Sequence, residues 1–302
     1  MKQDGKEGFL MRHQIENGSL TLEADTHGAE LCSLRKAGGP GELLWSADPA
    51  VWGRHAPLCF PWCGRMRDNY FEEGGRRYEA GSHGFARDME HMLPASGPDF
   101  LTFRLGWNGE TLALWPWKFS LETTHRLEGD SVVTVCRVQN EDSRPMPFQL
   151  GFHTALRCPF TPGKSATDYL VRFEREESPL RVRCDENGLA TGEETPVFPG
   201  QSAVPLTPGL FDDDSICMKG LRSSWIQLEE AETGRYLRIS CEGYPYTLLW
   251  SKPGIPGFLC IEPWHGLPGR ADLGHAFSER PCLTTLAPGE SWSCTHILTA
   301  GM

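Results

Sequence analysis

Phe119-Ser120-Leu121-Glu122-Thr123-Thr124-His125-Arg126-Leu127 places a large or core-compatible side chain at every second position. Successive residues of a β-strand point to opposite faces, so this spelling predicts a strand with one face in a core. The same rhythm returns in Leu101, Phe103, Leu105 and Trp107, in Val133 and Val135, and in Leu237, Ile239 and Cys241. It closes the chain in Trp292, Cys294, His296 and Leu298. Gly, Pro, Asn and Asp separate the runs, as turns between antiparallel strands require. With 23 prolines and 33 glycines spread over 302 residues, few windows permit a long helix. The best short candidate is Asp48-Pro49-Ala50-Val51-Trp52, with Asp as N-cap and Pro in the first helical position. Strands do not alternate with helices in the manner of parallel α/β folds. The expectation is an all-β, large antiparallel β-sandwich with very little helix.

Composition narrows the choice of partners. The chain is 39% hydrophobic and 23% charged, as in ordinary globular domains, and its formal net charge of −11 disfavours nucleic acid and anionic membranes. A local arginine cluster can still override that field for a small anion. No stretch reaches the roughly 20 apolar residues of a membrane helix. Residues 1–8 are polar and read as a flexible tail without an export signal, followed by a single domain over 9–302. The 11 cysteines are scattered singly, several inside apolar runs (Cys136, Cys241, Cys260), which suits free thiols in a reducing cytoplasm. Glu186 to Gly209, rich in Pro, Gly, Thr and Ser, reads as a long surface excursion and a candidate rim over a site.

Two apolar stretches each hold one ionisable residue. Pro147-Phe148-Gln149-Leu150-Gly151-Phe152-His153 ends on a histidine, and Phe258-Leu259-Cys260-Ile261-Glu262-Pro263-Trp264 encloses a glutamate. An ionised carboxylate is costly to bury without partners, so Glu262 needs a reason to be there. Other motifs fail their chemistry. His55, Cys59 and Cys63 have metal-like spacing but no second pair, and a structural zinc needs four ligands. Glu-x-x-His occurs at Glu122/His125 and Glu262/His265, but in strand-like sequence rather than on facing helices. There is no nucleophile elbow, phosphate loop or dinucleotide fingerprint. Taken singly, every remaining polar candidate has an ordinary structural explanation.

In combination they do not. Gly28-Ala29-Glu30-Leu31-Cys32-Ser33-Leu34, Phe60-Pro61-Trp62-Cys63-Gly64-Arg65, His83-Gly84-Phe85-Ala86-Arg87-Asp88, Gly151-Phe152-His153 and Cys260-Ile261-Glu262-Pro263-Trp264 follow one another along nearly the whole chain. In that order they resemble the aldose 1-epimerase (galactose mutarotase-like) superfamily, in its bacterial sugar-epimerase branch. The resemblance implies a galactose mutarotase-like supersandwich with a shallow polar cleft for a sugar. It assigns Glu262 as general base and His153 as general acid in opening and closing the ring, interconverting α- and β-anomers with no metal or cofactor. It places His83 near the ring oxygen, and Arg65 and Asp214 on hydroxyls, with Asp213 the next choice within Asp212-Asp213-Asp214. Arg87 would hold the site's shape or touch the ligand, and Trp264 would stack on the sugar or pack beside Glu262. The protein would then be an isomerase, acting as a monomer or homodimer.

Two departures bear on substrate. Thr154-Ala155-Leu156 follows His153 where relatives often carry Pro and an aromatic, and His265-Gly266-Leu267-Pro268-Gly269 follows Trp264 where an Asp is common. Both alter the rim rather than the acid and base. A hexose-6-phosphate 1-epimerase and a non-catalytic carbohydrate-binding protein are the competing readings.

Overall fold

Strand Phe119–Glu128 pairs on one side with Phe100–Gly106 and on the other with Ser131–Asn140, all antiparallel. In the computed structural model, which describes residues 11–302, these strands belong to a nine-stranded sheet. Its order is Gln201–Pro205, Tyr169–Glu177, Trp225–Glu230, Tyr236–Ser240, Ser291–Gly301, Ser131–Asn140, Phe119–Glu128, Phe100–Gly106, Met92–Ser96. An eight-stranded sheet runs Ala190–Pro196, Leu180–Cys184, Ile216–Lys219, Tyr246–Trp250, Phe258–His265, Leu150–Phe152, Leu58–Cys59, with Thr154–Arg157 also laid on Phe258–His265. A three-stranded sheet, Arg12–Glu16, Leu20–Asp25 and Leu31–Lys36, packs against both. The tail expected over 1–8 lies outside the described residues.

The period-two faces build the core. Phe103, Leu127, Val171, Ile226 and Ile239 of the larger sheet meet Met218, Leu249 and Ile261 of the smaller, with Leu22 and Leu34 against them. A second cluster is dominated by aromatic rings, among them Phe60, Trp62, Trp115, Phe119 and Phe148. The sandwich is as expected, and burying one face of each sheet against the other is what drives it.

Three local expectations are corrected. Val133 and Val135 face outwards, whereas Val132, Thr134, Cys136 and Val138 are buried. The neighbouring strand decides this, because Val132, Thr134, Cys136 and Val138 pair with the buried Leu127, His125, Thr123 and Leu121. Cross-strand partners share a face, so the neighbour's parity overrides the strand's own hydrophobicity. Asp48–Trp52 is one turn rather than a helix: the Asp48 carbonyl accepts from Val51 and Trp52 N–H, and its carboxylate from Ala50 N–H. Among the described residues the one α-helix is Gly109–Leu114, with Asn108 and Thr111 forming a reciprocal capping box. Glu186 to Gly209 is no structureless excursion, since Ala190–Pro196 pairs in the smaller sheet and Gln201–Pro205 in the larger. No helix among the described residues is long and apolar enough to cross a membrane.

Buried histidines tie the layers together. His125 lies between Thr134 Oγ1 at 2.8 Å and the Ala29 carbonyl at 2.9 Å, and His296 Nε2 lies 3.0 Å from Thr154 Oγ1. Burial holds His91 and His125 down to about 4 and His296 down to about 3. Below about pH 6.5 the unfolded chain takes up protons at these positions and the fold does not. Stability is therefore full above that pH and is lost as pH falls towards 4. Each group contributes a slope of about 1.4 kcal/mol per pH unit in that window. The midpoint of urea unfolding is expected to fall steadily from pH 6.5 to 4.5, and a flat midpoint would contradict this account.

Candidate active site

Leu150 pairs with His265, Gly151 with Trp264 and Thr154 with Ile261, in one continuous antiparallel register. That register sets His153 opposite Glu262. The next strand puts Leu248 beside Glu262, and the one after it puts Cys217 beside Leu248. Cross-strand partners share a face, so a single rung of the sheet presents His153, Glu262, Leu248 and Cys217 together. All four line a cleft of about 330 Å³. Ile261 and Leu249, of opposite parity, point into the core. This explains the apolar spelling around Glu262: one face of its strand is core and the other is the cleft floor. Ile261, though adjacent to Glu262 in sequence, has its side chain on the far face.

His153 Nε2 and Glu262 Oε2 are 3.3 Å apart, and both residues are buried. The approach is not aligned as a hydrogen bond, and His153 Nδ1 and Glu262 Oε2 lack partners among the described residues. Burial, with Cys59 and Asp214 adding to it, pushes Glu262 well above the ordinary carboxylate range. Burial, then repulsion from His83 and Arg87, holds His153 well below the ordinary histidine value. The carboxyl group thus holds its proton more tightly than an ordinary glutamate, and the imidazole beside it takes one up less readily than an ordinary histidine.

Loops supply the walls. His83 has a positive φ of 65°, and its Nδ1 accepts from Gly64 N–H at 3.2 Å while lying 3.2 Å from Cys59 Sγ. A backbone N–H can only donate, so Nδ1 is the acceptor and, in neutral His83, Nε2 carries the proton. Gly84 is obligatory at this turn, because a Cβ there would stand 2.0 Å from the Phe60 carbonyl oxygen. Gly151 is equally constrained, since its Cβ would lie 2.4 Å from Trp264 Cδ1. Arg65 and Asp214 are exposed at the cleft, and Arg87 is half-buried with Nη2 donating to the Ser82 carbonyl at 2.7 Å. Asp214 lines this cleft, and Asp213 lines a neighbouring one. Arg181 fixes that register by donating to the carbonyls of Asp213 and Ser215 at 2.7 and 2.9 Å. Trp264 also lines the cleft but is 2% exposed, its indole N–H donating to the Phe152 carbonyl at 3.2 Å.

All seven residues singled out from the sequence, Arg65, His83, Arg87, His153, Asp214, Glu262 and Trp264, line this one cleft. The family described as aldose 1-epimerase matches residues 11–299. The chain belongs to the aldose 1-epimerase family. The chromosomally encoded LacX protein of Lactococcus lactis subsp. lactis is 31% identical over 297 residues, covering 96% of this chain and 99% of that one. A galactose mutarotase related enzyme from Lactobacillus acidophilus superposes with a TM-score of 0.91 at 27% identity, covering 97% of this chain and 98% of the other. A galactose mutarotase-like protein from Lactobacillus casei gives 0.88 at 27% identity, over 96% of this chain and all of the other (100%).

Beyond the residues read from sequence, this aldose 1-epimerase family member adds several more. Trp52 stacks on the His153 ring with centroids 4.9 Å apart, and Trp250 meets the same ring edge-on at 5.5 Å. The Asp48 turn presents Trp52 there, helped by Trp45 Nε1 donating to the Trp52 carbonyl at 2.8 Å. Lys252 stands on the rim. Beneath the walls, Arg280 is 8% exposed and has no carboxylate partner among the described residues; Nη2 donates to the carbonyls of Cys63 and Leu267 and to Gln149 Oε1, at 2.8 to 2.9 Å. Nη1 reaches the Arg65 carbonyl at 3.4 Å, and Gln149 Oε1 also accepts from Cys63 N–H at 2.9 Å. No sequence motif marks Arg280, because most of its partners are backbone carbonyls on distant segments.

Two outcomes follow from this electrostatics. Because the folded value of Glu262 is raised, wild type gains proton binding on folding and loses stability as pH rises from about 4.5 through that value. Glu262→Gln removes the term, so its melting temperature relative to wild type is expected to increase with pH, as thermal scans from pH 5 to 9 will read. A constant difference would refute the raised value. Arg280→Met strips donors from buried carbonyls at roughly 1–3 kcal/mol each, so a loss of about 3 kcal/mol in urea unfolding is expected. Arg280→Lys, lacking the fork, should restore only part.

Proposed function

We propose that this protein is an aldose 1-epimerase that interconverts the α- and β-anomers of a free sugar, with His153 and Glu262 moving the protons. The observation that carries the reading is the floor rung, on which an imidazole and a carboxyl group stand 3.3 Å apart in a cleft with polar walls. One proton serves the pair. With that proton on His153 Nε2 the pair is a carboxylate beside an imidazolium, an ion pair favoured once sugar hydroxyls enter the cleft. Glu262 then takes the proton of the C1 hydroxyl while His153 gives one to the ring oxygen, and the C1–O5 bond breaks. Rotation about C1–C2 turns the aldehyde, and the same two groups close the ring in reverse.

The walls supply orientation. His83 Nε2–H donates towards the ring oxygen, Arg65 and Asp214 hold hydroxyls, Arg87 shapes the wall, and the half-exposed indoles of Trp52 and Trp250 give apolar surface for a sugar face. The free thiols of all 11 cysteines fit action in a reducing cytoplasm.

Each acid or base group typically supplies about 10²–10⁴-fold. His153→Asn and Glu262→Gln are expected to fold and to lower accelerated anomer exchange by about that factor each, followed by exchange NMR on glucose and galactose. Rates unchanged in both variants would remove the mechanism, and saturable sugar binding without exchange in wild type would favour the binding-protein reading.

A phosphorylated substrate is the second reading, and one observation favours it. Arg65, Arg87 and Lys252 in the cleft outnumber Asp214 and Glu262, against a chain carrying a net charge of −11. Under that reading Lys252→Gln raises KM for a hexose 6-phosphate severalfold and leaves the free hexose unaffected. Equal effects on both would reject it.

A further inference from the structure

The sugar chemistry leaves one neighbour of the pair without a task. Cys260 and Glu262 are two residues apart on strand Phe258–His265 and share its face, and His153 stands across the ladder. One donor atom of each, an imidazole nitrogen, a sulfur and a carboxyl oxygen, lies within 4.8 Å of the other two. All three residues are buried, and Glu262 Oε2 and His153 Nδ1 have no partner among the described residues. Among the described residues no other such grouping of three occurs.

The spacing fits a tetrahedral ion better than a hydrogen bond. Zinc bonds nitrogen and oxygen at about 2.0–2.1 Å and sulfur at about 2.3 Å, which puts tetrahedral N and O ligands about 3.4 Å apart and sulfur about 3.6 Å from either. His153 Nε2 and Glu262 Oε2 already stand at 3.3 Å without hydrogen-bond alignment. The edges to the Cys260 sulfur lie within 4.8 Å, and binding requires that side chain to draw in towards the other two ligands. Two anionic ligands match the double charge of the ion, so the bound set is neutral, as a buried site requires. Imidazole and thiolate select a borderline-soft ion over magnesium or calcium, which prefer oxygen.

We propose that His153, Cys260 and Glu262 form a zinc site on the cleft floor, and that zinc bound there shuts the active site. Binding displaces one proton from the Cys260 thiol and one from the Glu262 carboxyl and takes the lone pair of neutral His153. The fourth position opens to the cleft, through which the ion enters, because His153 and Glu262 both line it. The inhibitory half rests on the epimerase reading; the binding half does not.

The test titrates the chelator-stripped full chain with Zn²⁺ against a chromophoric chelator. One ion per chain with a micromolar or tighter Kd is expected, and no competition by Mg²⁺. Cys260→Ala, and Cys260→Ser as a second variant of similar volume, should each weaken binding at least about tenfold. The thiolate-to-metal absorption of the Co²⁺-loaded protein should vanish in both. Zn²⁺ should abolish anomer exchange in wild type and EDTA restore it, while Cys260→Ala keeps exchanging at Zn²⁺ levels that saturate wild type. A wild-type Kd weaker than about 100 µM, or equal binding by the Cys260 variants, overturns the site. Zinc binding through Cys260 in a protein that never exchanges anomers would sink the epimerase reading and leave the site standing.

Discussion

Everything at this cleft depends on the register of one antiparallel pairing. Shifting the segment that carries His153 by a single residue against Phe258–His265 would turn the imidazole into the core and bring Phe152 or Thr154 to the floor. The register is held from both ends, by the rungs at Gly151/Trp264 and at Thr154/Ile261. It is held from beneath too, where Phe152 stacks on His296 at 4.5 Å and Thr154 Oγ1 meets the same imidazole. A structural histidine in the sandwich interior therefore keeps a second histidine in place at the surface of the sheet.

The site divides into a rigid floor and adjustable walls. The floor is sheet, and its side chains are fixed by parity. The walls come from loops, which are the usual carriers of specificity. They are given shape by turns that only glycine or a strained residue can make, at His83, Gly84 and Asp214. The charge distribution follows the same division. Low-dielectric surroundings push Glu262 and His153 away from their solution values, whereas the arginines and the lysine of the walls stay where a polar ligand can reach them.

Much of this was legible in the sequence. The alternation in Phe119–Leu127 announced a sheet, and the two misfits, His153 and Glu262, turned out to share a rung. The sequence misled where the deciding neighbour was remote. Val133 and Val135 look like a core face until strand Phe119–Glu128 claims the other parity for the interior. Glu186–Gly209 looks like loop because its strands are short and polar, with their partners in two different sheets. Cys260 reads as an ordinary thiol in an apolar run, and neither Trp52, in its short helix candidate, nor Trp250 carries a mark of what it will face. Arg280 was invisible for a related reason: hydrogen bonds to carbonyls leave no complementary residue type to search for.

Arg280 also fixes an order of events during synthesis. The ribosome makes Cys63 and Arg65 early, yet the guanidinium that braces their carbonyls arrives more than two hundred residues later, the Cys63 contact spanning 217 positions. Glu262 comes almost as late. A nascent chain can assemble its first sheets well before then, because their pairings are mostly between neighbours in sequence. The walls and floor of the cleft close only near the end of translation, so a partly made chain has no finished pocket to offer a ligand.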